Sequence, residues 1–422
     1  MRVIVANYRY FISGGPDRYM FNFMQAAMKY DIEVIPFSVQ DPKNTPSQYE
    51  SYFAKPRAEN NNYQKNHRNK IGNLLGYSRA VIWNFEAEKK LITLIKDVKP
   101  DVLYVLHQIN HLSPSIIKAA KSEGVKIVHR ISDFFMFCAR YDFLRDNKIC
   151  ELCKGANLYN AVKFKCVKQS YACSILRVIA MKLHNIVGVY GHVDYFITPS
   201  KFTLEIYKNE GIEEHRIIHI PTFTNVDEVI PSYTNNNYFL YLGRIAEQKG
   251  LIHLVEAMKY FKASRHKLVI TGCLSDSDYD QKIRVIIDKH QLQEKIEFIG
   301  FKNGNELSRV ISDSICIINP AIWYENMPNS VIESYAHGKP VIGTNIGSMS
   351  EIINHGVTGY LVEPNDVESL SHYMKKVVDC EERLVRLGRN ARRKCENEFS
   401  IGMHMQRVIE VFNQIHVSPI IS

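Results

Sequence analysis

The stretch SICIINPAIWYENMPNSVIESYAHGKPVIGTN, Ser314 to Asn345, reads as strand, loop, helix and strand in succession. SICIINP is a short apolar run that stops at Asn319-Pro320, where a proline cannot donate to a sheet ladder. Pro328 suits the first turn of a helix, where the N–H it lacks would be unpaired anyway. Gly338 ends that helix, and KPVIGTN opens the next strand. Two strands joined by a helix argue for a parallel pair. The same stretch places Glu325 on the loop before the helix and Glu333 just over one turn into it.

The pattern extends in both directions. RVIVANY, DIEVIPFS, DVLYVLH, VKIVHRI and DYFITPS are short β-branched runs separated by helical segments such as DRYMFNFMQAAMKY and FEAEKKLITLIKDV. After the polar break SYTNNN (Ser232–Asn237) a second series begins with YFLYLGR, HKLVITG and KIEFIGF. A chain of 422 residues exceeds one ordinary core, so the restart predicts two doubly wound α/β domains facing a cleft. The first spans 1–222, with a cysteine-rich insertion at about 134–175. A linker at 223–236 precedes the second domain at 237–395, and a final segment, 396–422, packs back toward the first.

Composition narrows the classes. At 45% hydrophobic and 23% charged residues, with no apolar run of about 20, the chain reads as globular rather than membrane-spanning. The opening MRVIVANYRYFISGG reads as a strand and turn rather than a secretion leader, which predicts a cytoplasmic protein with reduced cysteines. Residues 1–200 hold 28 Lys and Arg against 16 Asp and Glu, whereas the remainder holds 25 against 28. The basic half is either a solvated surface or a face for something anionic, such as a phospholipid surface or a phosphorylated substrate.

Several segments carry chemistry. The unpaired N–H groups at the helix start after Pro328 attract phosphate. Acids on either side of it suit a nucleotide with a sugar on each side of its diphosphate, although one acid near a helix start and one on its solvated face would look the same. FLYLGRIAEQKG places Arg244 at a strand end and Lys249 at a helix start, where two cations can neutralise a diphosphate leaving group or simply sit at the surface. SGGPDRYMFNFM puts Gly14 and Gly15 in the first strand-to-helix loop. It is not a G-x-G-x-x-G fingerprint, which argues against a nicotinamide cofactor.

Together GRIAEQKG, ENMPNSVIE and SYAHGKPVIGTNIGSMSEIINHGVTGYLVEPND resemble the retaining nucleotide-sugar glycosyltransferases of family four, of GT-B architecture, over the whole carboxyl half. The resemblance implies that Arg244 and Lys249 hold the donor diphosphate, Glu325 the hydroxyls of the donor sugar, and Glu333 the ribose. It implies that backbone N–H groups around Asn329 and Ser330 meet phosphate or sugar, and that the base lies near Phe301. Gly14 and Gly15 would let the backbone approach donor phosphate and acceptor, or would only make a tight turn. Glu325, Arg244 and Lys249 are the catalytic candidates. The implied reaction moves a sugar from a UDP- or GDP-sugar to a glycan hydroxyl by front-face displacement, with no cofactor for catalysis and no nucleic acid. Similarity to enzymes of bacterial surface-polysaccharide assembly favours an undecaprenyl-diphosphate-linked acceptor and an anionic membrane surface at the inner face of the cell membrane. A non-catalytic binding relative and a sugar-nucleotide epimerase of the same architecture are the rival readings.

One departure stands out. Where many relatives have His-Asp, this chain has Ser132-Asp133. His129 and Asp133, with His107, Asn110 and His111 after another strand, are the acceptor-side candidates. Cys138, Cys150, Cys153 and Cys166, with one C-x-x-C pair, have the spacing of a structural zinc site or are reduced thiols in a loop. DSDYD (Asp276–Asp280) reads as a helix cap rather than a metal-binding D-x-D. SILRVIAMKLHNIVGVYGH reads as a packed helix, or as one lying on a membrane surface.

Overall fold

The computed structural model describes residues 1–56, 81–108, 111–272, 274 and 277–417. Two six-stranded sheets dominate it. The first contains β1 (Arg2–Asn7), β2 (Glu33–Phe37), β3 (Val102–His107), β4 (Lys126–Arg130), β7 (Tyr195–Thr198) and β8 (Ile217–His219) in the order β2-β1-β3-β4-β7-β8. Between β4 and β7 lies a two-stranded hairpin of β5 (Leu144–Arg145) and β6 (Lys148–Ile149). The second sheet contains β9 (Tyr238–Leu242), β10 (Lys267–Thr271), β11 (Ile296–Phe298), β12 (Ile317–Asn319), β13 (Val341–Thr344) and β14 (Gly359–Val362) in the order β11-β10-β9-β12-β13-β14.

All the pairings within the two large sheets are parallel. Helices therefore cover both faces, and the strands are apolar almost throughout, as with Val3–Ala6 and Val102–Leu106, all of them buried. Strand order reverses beside β1 and β3 in the first sheet and beside β9 and β12 in the second. Loops leaving the carboxyl ends of these strands diverge to opposite faces and leave a crevice in each sheet. Those loops carry Gly14 and Gly15, His107, Arg244 with Lys249, and Glu325.

The Ile401–Val417 helix belongs to the first sheet in space. Met405, Val408, Val411 and Phe412 pack with Val3, Tyr104 and Phe23. A buried polar chain fixes it. The Tyr19 hydroxyl is 2.7 Å from that of Tyr104 and 2.8 Å from His404 Nε2, and His404 Nδ1 is 2.7 Å from Pro221 O. Burial lowers the His404 pKa to about 3, so the ring is neutral there and gives the chain one donor and one acceptor. Among the described residues no helix is long and apolar enough to cross a membrane.

The glycine after Lys249 has a fold-level reason. Gly250 has φ +65°, and a Cβ there would stand 1.9 Å from Pro320 O at the end of β12. Lys249 is thereby held against the second crevice. Gly250→Ala should cost more than about 2 kcal/mol through left-handed strain and overpacking. Gly14→Ala, with Asp17 Oδ2 at 3.9 Å as the nearest atom, should stay within about 1 kcal/mol. Urea unfolding of both variants checks this; a Gly250→Ala midpoint equal to wild type would refute the close approach to Pro320.

Candidate active site

The two crevices face each other, and each acid of the ENMPNSVIE stretch meets a cation. Lys249 Nζ lies 2.5 Å from Glu325 Oε1, and Trp323 Nε1 donates to the same oxygen at 2.9 Å. Lys249 also lies 5.2 Å from the centre of the Trp323 ring. Glu325 is buried. A carboxylate in that position needs both a counter-charge and a donor, and the loop before the Asn329–Ala336 helix supplies Trp323 only two residues away.

Glu333 is held from the other domain. Arg18 Nη1 lies 2.7 Å from Glu333 Oε1, and both side chains are mostly covered. Burial raises the Glu333 pKa above the usual carboxylate range, and the Arg18 charge and hydrogen bond oppose that shift. Between the two ion pairs the Asn329–Ala336 helix begins behind Pro328 with no side-chain cap. Its leading N–H groups point to the space between the domains. Gly15 lies across from it: a Cβ on Gly15 would have Asn329 Nδ2, at 3.9 Å, as its nearest neighbour.

The glycine pair is therefore not a strained turn. Gly14 has φ −161°, open to any residue, and Gly15 is not among the residues of positive φ. What the pair provides is room beside Asn329 and Ser330. Asp17 braces the loop, accepting from Asn7 Nδ2 at 2.9 Å and from Ser13 N at 3.2 Å.

On the first-domain side, His107 Nε2 lies 3.2 Å from Asp133 Oδ2. The Tyr8 ring meets His107 edge-on at 4.9 Å and stacks on His111 at 4.8 Å. Burial and the nearby Arg9 and His107 lower the His111 pKa to about 4. Ser132 Oγ donates to Leu106 O at 3.0 Å. The serine is thus spent on the end of β3, and the histidine facing Asp133 comes from β3 itself.

The remaining candidates divide. Arg244 is exposed on the loop after β9, and Phe301 is exposed on the loop after β11. His129 departs from the expectation. Its ring lies inside the first domain between Tyr190 and Phe196, and burial lowers its pKa to about 4. It is a core residue, paired with Val105 of β3. Asn110 lies outside the described residues, as does Asp276. Ser277, rather than an aspartate, caps the Asp278–His290 helix by accepting from Asp280 N. Cys138 and Cys153 are buried, Cys150 and Cys166 partly so, and all four are free thiols. Burial pushes the Cys153 thiol up to about 12, with smaller effects from Cys138, Cys166 and Cys150, so the four share one neighbourhood. Among the described residues, however, no group of three His, Cys, Asp or Glu side chains is arranged to hold a metal ion.

Residues 223–394 match the family model of the glycosyl transferases group 1. The second domain belongs to that family. The capsular polysaccharide biosynthesis glycosyltransferase CapM of Staphylococcus aureus is 27% identical over 200 residues, 44% of this chain and 49% of that one. A UDP-Gal:alpha-D-GlcNAc-diphosphoundecaprenol alpha-1,3-galactosyltransferase of Escherichia coli is 23% identical over 193 residues, 44% and 48% of the two chains. The chain thus spans about half the length of these curated relatives. The structure of HepE from Anabaena in complex with UDP-glucose superposes with a TM-score of 0.70 at 13% identity, covering 98% of this chain and 100% of that one. The fold is GT-B, and the two domains meet across the cleft.

Sequence reasoning missed Arg18 and Trp323. Arg18 follows the glycine pair by three residues, and only a two-domain structure brings it to Glu333. The Arg18–Glu333 pair should show a coupling of about 1–3 kcal/mol in a double-mutant cycle of Arg18→Ala and Glu333→Gln. Because the native state holds the Glu333 proton more tightly than the unfolded chain, stability falls as pH rises from the ordinary carboxylate range through the raised pKa. Glu333→Gln should remove that slope. Denaturation across this pH range, showing the slope unchanged in Glu333→Gln, would refute the burial of this carboxylate.

Proposed function

We propose that the chain is a retaining glycosyltransferase of polysaccharide biosynthesis that moves a sugar from a nucleoside diphosphate sugar to a hydroxyl of a lipid-linked glycan. The observation that carries this is the Glu325–Lys249 and Glu333–Arg18 arrangement on either side of an uncapped helix start. A donor diphosphate seated there draws Lys249 and Arg244 to its oxygens. Glu325 then accepts from hydroxyls of the transferred sugar, and Glu333 exchanges Arg18 for the ribose diol. As the glycosidic bond to the diphosphate breaks, the two cations stabilise the charge on the departing phosphate. That phosphate takes the proton of the acceptor hydroxyl attacking from the same face, so the chain need not provide a separate base. The acceptor would enter beside His107 and Asp133. The names of the relatives support a UDP-linked donor and a diphosphoundecaprenol-linked acceptor, and such an acceptor would place the reaction at a membrane surface.

The cysteine cluster is proposed to hold one structural zinc. The proposal rests on the C-x-x-C spacing and the shared burial around Cys153, and it requires the four thiols to turn toward one another.

Glu333→Ala should weaken UDP-sugar binding by the loss of charge-assisted hydrogen bonds, about 1.5–3 kcal/mol, or roughly 10- to 150-fold. Glu325→Ala should lower turnover more than binding. Titration calorimetry and transfer assays on a panel of UDP- and GDP-sugars check both, and wild-type values in both variants would reject the site. Magnesium chelation should leave turnover intact. Elemental analysis should find about one zinc per chain, lost when Cys150 and Cys153 are both changed to serine; folded, active protein purified without zinc would refute that part.

A further inference from the structure

The helix Tyr171–Ile186 is apolar on two sides. One side packs inward through Val178, Ala180, Met181 and His184. The other exposes Tyr171, Ile175, Ile179, Leu183 and Ile186, with Ile186 79% exposed. At 100° per residue these five fall within an arc of about 120°, opposite the packed face. A surface helix ordinarily puts polar residues there. Of the 21 large apolar side chains exposed among the described residues, ten lie between Tyr141 and Val187, so the surface is concentrated rather than scattered.

Its charge has one sign. From Leu152 to Val193 the chain holds six Lys or Arg and no Asp or Glu. Lys163, Lys165, Lys168 and Lys182 are all exposed. The nearest acids along the chain are engaged: Glu151 with Lys154 at 2.7 Å and Tyr324 at 3.1 Å, and Asp194 with Lys126 at 3.8 Å. In its last turn the helix meets Trp83, whose ring lies 6.5 Å from that of His184. Trp83 lines an adjoining groove of about 530 Å³ shared with Phe85, Ile92, Lys89, Lys96 and Lys118, where Glu88 and Asp97 are the acids.

We infer that the outer face of the Tyr171–Ile186 helix is a docking surface for an anionic lipid bilayer. The apolar stripe would lie among the acyl chains at the headgroup boundary, with the flanking lysines at lipid phosphates. Exposed apolar residues on a stretch that carries lysines and no acid between Leu152 and Val193 fit that partner better than a second protein, whose interface would pair both signs at its rim. The helix also sits where attachment is useful. It follows the insertion that touches the second domain through Glu151–Tyr324 and Asn147–Glu247. Sixteen residues give it about 24 Å along the surface.

This deepens the membrane part of the proposed function and rests on that part alone. Transfer to a water-soluble acceptor analogue is measured separately, so loss of either property is distinguishable from loss of the other. The test is co-sedimentation of the full chain with vesicles of equal phosphatidylglycerol and phosphatidylcholine, and with phosphatidylcholine alone. Binding is expected to the anionic vesicles, falling at high salt. The exposed triple variant Ile175→Ser, Ile179→Ser, Ile186→Ser should lose about tenfold or more of it, and so should Lys163→Glu, Lys165→Glu, Lys168→Glu, both with wild-type thermal unfolding. In a second measurement, Ile179→Trp fluorescence should shift to the blue only with anionic vesicles. The inference is overturned by absence of vesicle binding, by equal binding of wild type and variants, or by a wild-type dimer in solution that the serine variant dissociates, since the stripe would then be a protein interface.

Discussion

A parallel sheet delivers the carboxyl ends of all its strands to one edge, and this constraint shapes the rest of the molecule. Each sheet here reverses strand order once, and the loops leaving on either side of the reversal are free to bind. With two such edges facing each other, residues more than 300 positions apart in sequence, Arg18 and Glu333, come to 2.7 Å. The second domain alone would leave Glu333 without that cation, and the first alone would leave the glycine loop facing water.

The ion pairs are better understood as positioning devices than as sources of stability. Lys249–Glu325 and Arg18–Glu333 are largely covered, and covering charges costs nearly as much as their attraction returns. What they do is fix the orientation of two carboxylates beside an uncapped helix start. Other contacts hold the domains together. Glu351 accepts from the backbone of Lys201 and Phe202 at a helix start, Asn326 reaches Thr203 and Ile131, and Tyr324 packs against Phe202 at 4.6 Å. Lys201, Phe202 and Thr203 open the helix that follows β7, and Ile131 follows β4, so these contacts lie at strand ends of the first domain.

The cysteine-rich insertion shows a different logic. It packs a small core of its own, Ala139, Cys153, Leu158 and Ala161, against Val178 and Met181 of the Tyr171–Ile186 helix. The segment from Tyr141 to Gln169 is dense in left-handed turns, at Tyr141, Phe143, Asp146, Asn147, Ala156, Lys165, Lys168 and Gln169. That is why no strand or helix period is visible there. The insertion supports the helix from beneath while leaving the apolar stripe outside, so one packed element presents two apolar faces.

Much of the architecture was legible in the residues. Strand runs such as RVIVAN and VLYVLH announce parallel strands because both faces are covered, and the restart after SYTNNN announces a second sheet. The spacing of Arg244, Lys249, Glu325 and Glu333 was legible too, because local motifs set which side chains leave a strand end or a helix start. Which partner each side chain meets was not. Ser132 reads as a lost histidine, yet His107 reaches Asp133 from the neighbouring strand. His129 reads as a cleft residue, yet its ring is buried between Tyr190 and Phe196. Arg18 carried no signal in the sequence, yet it pairs with an acid of the other domain. Sequence determines period, caps and charge, which depend on neighbours along the chain. Pairing depends on the approach of strands and domains distant in sequence, and only the folded arrangement decides it.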